Sequence, residues 1–410
     1  MATIRPFAAL RPAANAAAAV SAVPYDVVST AEAREMAVGN PLSFLHVSRP
    51  EIDLPDGTDP YADEVYAKAK QNFNTLKHDA PLTADGEPGL YVYRLRLGGH
   101  SQSGIAACCS IEEYDRGVIK RHERTRKDKE DDRTRHMLAI SAQTGPVFLT
   151  YRGRPEINEL VAKTVRDAPL YDFTSPDSIQ HTLWRLTAVD AAAMADSFNA
   201  VPAIYIADGH HRAASAARAR DVLKAANAGH RGDEEYNFFL AVLFTAEEVR
   251  ILPYNRVVKD LNGMSQSEFL NALADSFEVI KGASASPDAK GRISMRLGDD
   301  WYSLSLLAET TKPLGPIASL DVSVLQDRLL DPVLGIRDIR TDKRIDFVGG
   351  IRGAVELERM VADGRAAVAF SMYPVSLADL MAISDANEIM PPKSTWFEPK
   401  LRDGLLSHLI

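Results

Sequence analysis

Residues 203–220, AIYIADGHHRAASAARAR, confine the fold of this chain more tightly than any other stretch. An apolar run stops at Asp208-Gly209, shows two histidines and an arginine, and dissolves into alanines. The pattern predicts a buried strand over 203–207 that hands over to a helix over 212–228. Gly209 permits a tight turn and close backbone approach. The helix behind it presents free N–H groups and a partial positive charge at its first turn. Small alanine side chains let such a helix pack closely on a sheet. Arg212 adds a planar fork suited to phosphate, His210 and His211 add donors, and Asp208 adds a carboxylate able to hold Mg2+ or orient a histidine. Together these residues fit an anion, above all a nucleotide phosphate, seated at a helix N-terminus.

Other chemistries lack their signatures. Adjacent histidines do not share a helix face, and there is no HExxH and no second Cys/His cluster, so a zinc hydrolase is the weaker reading. PPKST at 391–395 has a Lys-Ser pair without the glycines of a phosphate-binding loop. There is no GxSxG elbow and no protein-kinase signature set. The plain structural alternative is a helix cap with exposed histidines.

Strand and helix patterns alternate along all 410 residues, with several hairpins and no clean Rossmann order, which predicts an α+β or mixed α/β fold. The texture changes near residue 262. We therefore expect a main α/β region over 1–262, containing the DGHHR module, and a C-terminal α/β region over 263–410 that completes the same core or stands beside it. GGHSQSG at 98–104 reads as a hairpin turn, LPYNRVVKDL at 252–261 as a turn, and the last twenty residues as a strand with a loop. A net charge of −9 argues against a dedicated nucleic-acid binder. The two cysteines, Cys108 and Cys109, are neighbours, which disfavours a disulfide and points to a reducing cytoplasm. The alanine-rich N-terminus is too weakly apolar for an export signal, and no run approaches the length of a membrane span.

Residues 120–136 mix both charge signs densely. They read as a solvated helix laced with i,i+4 pairs or as an anion-binding segment in which Lys120, Arg121, His122, Arg124, Arg126 and Arg135 concentrate donors.

Several long motifs stand in one order: AVPYDVVS near the start, NPLSFLHVSRPEID at 40–53, GVIKRHERTRKDKEDDRTRH at 117–136, TGPVFLTY at 144–151, YIADGHHRAASA at 205–216, PYNRVVKDL at 253–261 and MPPKSTWFEPKLRDGL at 390–405. Nearly end to end, the chain resembles the bacterial and archaeal family called domain of unknown function 1015. More distantly, DGHHR is similar to the phosphate-binding signature of the ParB/sulfiredoxin-like superfamily, which includes free serine kinases acting on L-serine with ADP or ATP. That resemblance implies a ParB/sulfiredoxin-like nucleotide-binding core with additional α/β elements, and nucleotide phosphates held at Asp208, Gly209, His210, His211 and Arg212.

The function expected is a small-molecule kinase that uses ATP or ADP with Mg2+ to phosphorylate a hydroxyl-bearing metabolite, free L-serine or a similar one. Phosphoryl transfer needs positioning and charge neutralisation more than covalent chemistry. A carboxylate would accept the acceptor's proton, with Asp26 in PYDVV and Glu123 in KRHERTR as the candidates. Lys120, His122, Arg124 and Arg126 would clamp a substrate phosphate or carboxylate. The alternative from another class is a nucleotide-binding regulator that switches without turnover. Neither reading calls for nucleic acid or a membrane.

Overall fold

The computed structural model describes residues 2–79, 82–307 and 315–410. The fold is mixed α/β. The chain divides into two compact units, residues 1–249 with 399–410, and residues 250–398.

The first unit is built on a nine-stranded mixed sheet. Its order runs Ile119–Lys120, Ile204–Asp208, Val147–Tyr151, Phe238–Thr245, His100–Ser110, Tyr91–Leu97, Gln180–Arg185 and Tyr171–Thr174, with Ile4–Arg5 pairing on His100–Ser110. Central strands such as Phe238–Thr245 are buried almost throughout, as expected of strands covered on both faces. Cys108 and Cys109 are buried free thiols on one of them. The helix His210–Ala226 lays Ala213, Ala216, Ala217 and Ala219 into the core of this sheet. The helix Lys127–Ile140 packs beside it: Ser215 Oγ donates to the Glu130 carbonyl at 3.2 Å, and Arg218 pairs with Glu130 and Asp131.

Residues 250–398 form a second unit around a six-stranded sheet with every pairing antiparallel. The expected boundary at 262/263 falls inside this unit, because LPYNRVVKDL is not a turn. Tyr254–Val258 is a strand flanked by Ile345–Gly349 and Val368–Ser371, and its Val257 and Val258 are buried. The β-branched pair after Pro253 suits a pleated, two-sided burial better than a bend. The last residues return to the first unit, where His408–Leu409 pairs with Ala142–Gln143. In the hairpin of Tyr91–Leu97 with His100–Ser110 the turn is only Gly98-Gly99, and the polar residues after it already belong to the strand. Among the described residues no helix is long and apolar enough to cross a membrane.

Candidate functional site

Topology gathers four other stretches of the first unit at one end of Ile204–Asp208. Ile119–Lys120 runs parallel to it with Tyr205 opposite Lys120, so the residues that follow, Arg121 to Glu123, are carried towards Asp208. Val147–Tyr151 runs antiparallel with Phe148 opposite Asp208, which brings Gly145 and Pro146 to the same end. A register shift between Ile206 and Asp208 marks a bulge that re-aims the carboxylate. The C-terminal segment supplies Lys400 and Asp403, and Asp403 exchanges backbone hydrogen bonds with Ala22, fixing the stretch that holds Tyr25 and Asp26.

Gly209 takes φ +95°, a left-handed conformation that side chains resist, and forms the N-cap of His210–Ala226. The helix starts two residues earlier than the sequence pattern suggests, so both histidines and Arg212 lie in its first turn. No side chain caps this end and no acidic residue occupies its first turn, which leaves the positive helix terminus open to an anion.

Arg212 is 4% exposed and turned inward. Its guanidinium donates to the Pro146 carbonyl and to Asp208 Oδ2 at 3.2 Å, while its Nε is buried without a partner. The close approach that requires glycine at 209 is therefore made by Arg212 itself. A Cβ at Gly209 would stand 3.0 Å from Arg212 Cζ and Nε. Asp208 Oδ2 also lies 3.4 Å from Lys400 Nζ. Burial favours its neutral form, but Lys400 and Arg212 outweigh this and hold the carboxyl well below the usual range.

The histidines are not cationic donors. His210 and His122 are buried with their rings edge to face, centroids 4.4 Å apart. Burial lowers both, His122 to about 4 and His210 well below its ordinary value, so the pair is neutral near pH 7. The His122 amide donates to His210 Nε2 at 3.5 Å, which assigns the ring proton to Nδ1; that nitrogen lies 3.6 Å from Glu123 Oε2. His211 accepts from the Arg126 amide at 3.0 Å through Nε2, and burial lowers it too.

The structure thus brings Glu123, His122 and the Arg126 backbone to the helix start, while Lys120 lies opposite Tyr205, three residues before Asp208. Asp26 is exposed, and its charge acts on His211, Arg212 and Asp403. Arg124 is exposed, and the Arg126 side chain pairs with Asp128 at 2.7 Å. Arg135 leaves the group altogether, pairing with Asp63 and stacking on Tyr66 at 4.1 Å. The segment 120–136 is neither a single helix nor one anion clamp, since the helix begins only at Lys127.

Lys400 and Asp403 received no role from the sequence; both stand in PKLRDGL, remote from the tetrad. Asp403 is 3% exposed, and burial pushes its carboxyl up to about 7, helped by the charge of Asp26 and opposed by Arg212, Arg133 and Arg402. The folded chain therefore binds a proton here that the unfolded chain releases, and stability from this group falls as pH rises from about 4 to about 7. Asp403→Asn is expected to flatten that part of the profile. Urea titrations of both proteins between pH 4 and 8 check this, and parallel profiles would contradict it.

Gly209→Val is expected to destabilise the first unit although it removes no functional group, because it combines a forbidden φ with a clash on Arg212. Thermal melting and nucleotide titration read the result; a variant that melts and binds like the parent would refute the turn.

An uncapped helix terminus at the end of a mixed sheet, with Asp208, Lys400 and Glu123 close by, marks a strand–turn–helix in an α/β protein. The profile of the family described as Protein of unknown function (DUF1015) matches residues 4–323, and the chain belongs to that family. No curated protein matches it. Among solved structures, a free serine kinase in complex with AMP is similar at 12% identity and a TM-score of 0.36, over 74% of this chain and 91% of that one. SbnI with a C-terminal truncation from Staphylococcus aureus gives 11%, 0.37, 74% and 87%. A conserved hypothetical protein from Pyrococcus furiosus gives 14%, 0.34, 75% and 95%. Overlaps this low bear on neither substrate nor mechanism of this chain.

Proposed function

We propose that the first unit is a small-molecule kinase, which seats the phosphates of ATP or ADP at the start of His210–Ala226 and transfers a phosphoryl group to the hydroxyl of a small metabolite, free L-serine or a similar compound. The observation that carries this reading is the open helix terminus at Gly209, with no side-chain cap and no first-turn acid, beside Lys400. Backbone N–H groups and Lys400 would stabilise the phosphate charge. Arg212 acts as a positioning residue, since its guanidinium holds the turn from inside.

In the transfer, the acceptor oxygen bonds to the terminal phosphorus as the bond to the departing nucleotide breaks. The hydroxyl proton passes to a carboxylate, Glu123 or Asp26. His210, neutral with its proton on Nδ1, faces Glu123 across 3.6 Å. Lys120 and Arg124 remain the candidates to receive the acceptor's own charge.

Mg2+ enters this reading as a companion of the nucleotide phosphates. The residues present do not fit a protein-held ion. Asp208 already accepts from Lys400 and Arg212, and among the described residues no group of three or more His, Cys, Asp or Glu converges on a metal position.

The test is nucleotide turnover with ATP and with ADP, each with Mg2+, against a panel of hydroxy amino acids and polyols. Acceptor-dependent turnover is expected. Nucleotide binding without any phosphorylated product would replace the kinase by a nucleotide-binding regulator, and no nucleotide binding at all would overturn both.

A further inference from the structure

A cavity of about 550 Å³ lies within the second unit, a volume suited to a small metabolite. Arg256 lines it and is 1% exposed. Its guanidinium donates to two backbone carbonyls, Tyr254 and Lys393 (the latter at 3.0 Å), and stands 5.6 Å from the Phe347 ring. Among the described residues no carboxylate pairs with it. Buried arginines stay charged, so folding has left an uncompensated positive charge on a cavity wall, which is costly unless something answers it. Burial lowers Arg256 to about 10, with Tyr254 acting in the opposite direction.

Other features of the wall agree. Ser323 Oγ and Gln326 Oε1, on two lining residues, are buried without partners. Arg340 is committed to Asp338 at 2.8 Å, but Arg337 is 89% exposed and among the described residues pairs only with Asp331, at 4.0 Å. Pro391 and Pro392 close another side. The PPKST stretch, half of a phosphate-loop signature in the sequence, is thus folded for a different task. Lys393 takes φ +59° and its carbonyl accepts from Arg256.

We propose that this cavity is a second ligand site, which takes a small organic oxyanion, its carboxylate or phosphoryl group paired with Arg256 and drawn in by Arg337. A hydroxyl on the same ligand would satisfy Gln326 Oε1 or Ser323 Oγ after a side-chain rotation. The site is independent of the nucleotide reading, because its residues all belong to the second unit.

The experiment is calorimetric titration of the full chain with inorganic phosphate, glycerol 3-phosphate and glycerate, in the parent, Arg256→Gln and Arg337→Ala. Binding of at least one probe is expected. It should weaken by about tenfold in Arg337→Ala, the loss of one charge-assisted contact, and vanish in Arg256→Gln. A preference for the phosphates identifies a phosphorylated ligand, and a preference for glycerate identifies a carboxylate. Arg337 is exposed, so its variant folds and decides the matter even if Arg256→Gln does not. Absence of binding by all three probes, or equal binding in the parent and Arg337→Ala, would overturn the proposal. Failure of nucleotide to bind at Gly209 would leave these results unchanged.

Discussion

Replacing the true general base by its amide should lower phosphoryl-transfer turnover by about 10²-fold or more while nucleotide affinity stays nearly the same. Glu123→Gln and Asp26→Asn are the two variants. Each keeps the side chain's shape and removes the oxygen that accepts the proton. Glu123 Oε2 stands 3.6 Å from His210 Nδ1, so it has a fixed neighbour and a defined direction of approach. Asp26 is exposed and acts by its charge on His211, Arg212 and Asp403, so it faces the same helix start from another segment. Initial rates per folded molecule, with nucleotide affinity measured separately, tell the roles apart. A base loses kcat alone. A carboxylate with only a structural role lowers the melting temperature and leaves the rate per folded molecule intact. Should both amide variants keep the parent rate, neither is the base. Asp403 would then follow, since a carboxyl near 7 has the basicity that proton transfer at neutral pH favours.

The strand–turn–helix was legible because local signals agreed: an apolar run, a glycine that alone tolerates φ +95°, and alanines that pack close. The partners of that turn were legible only where a residue's chemistry was conspicuous, as with His122 and Glu123. Lys400 was not, because nothing local says that the chain's last dozen residues return to the first unit; the pairing of Asp403 with Ala22 and of His408 with Gln143 decides that. The charge state of the histidines was hidden for a similar reason. A histidine in a sequence is a possible cation, and only burial against a second imidazole makes His210 neutral. Tyr254–Val258 was misread because Pro253 and Asn255 are turn formers locally, while two flanking strands outweigh that preference.

Arg212→Ala should destabilise the first unit by about 3 kcal/mol, the lower end of what removing one partner of a buried ion pair costs. A residue that merely reached out to grip phosphate would weaken nucleotide binding and leave stability alone. Arg212 is 4% exposed, donates to the Pro146 carbonyl and Asp208, and lies against Gly209, so its loss uncouples the turn from the neighbouring strand. The carbonyl of Pro146 loses a buried donor, and a cavity opens under the turn. Lys400, 3.4 Å from Asp208, still answers that carboxylate, which is why the upper end of the range is not expected. Arg212→Lys restores charge without the fork that spans both acceptors, and should recover part of the loss. Urea unfolding gives the magnitude, and hydrogen exchange in His210–Ala226 shows whether the loss is local to this helix. Nucleotide affinity should fall together with protection of the helix's first turn. Unchanged stability with weakened nucleotide binding would instead make Arg212 a direct phosphate ligand, turned outward when the nucleotide is bound.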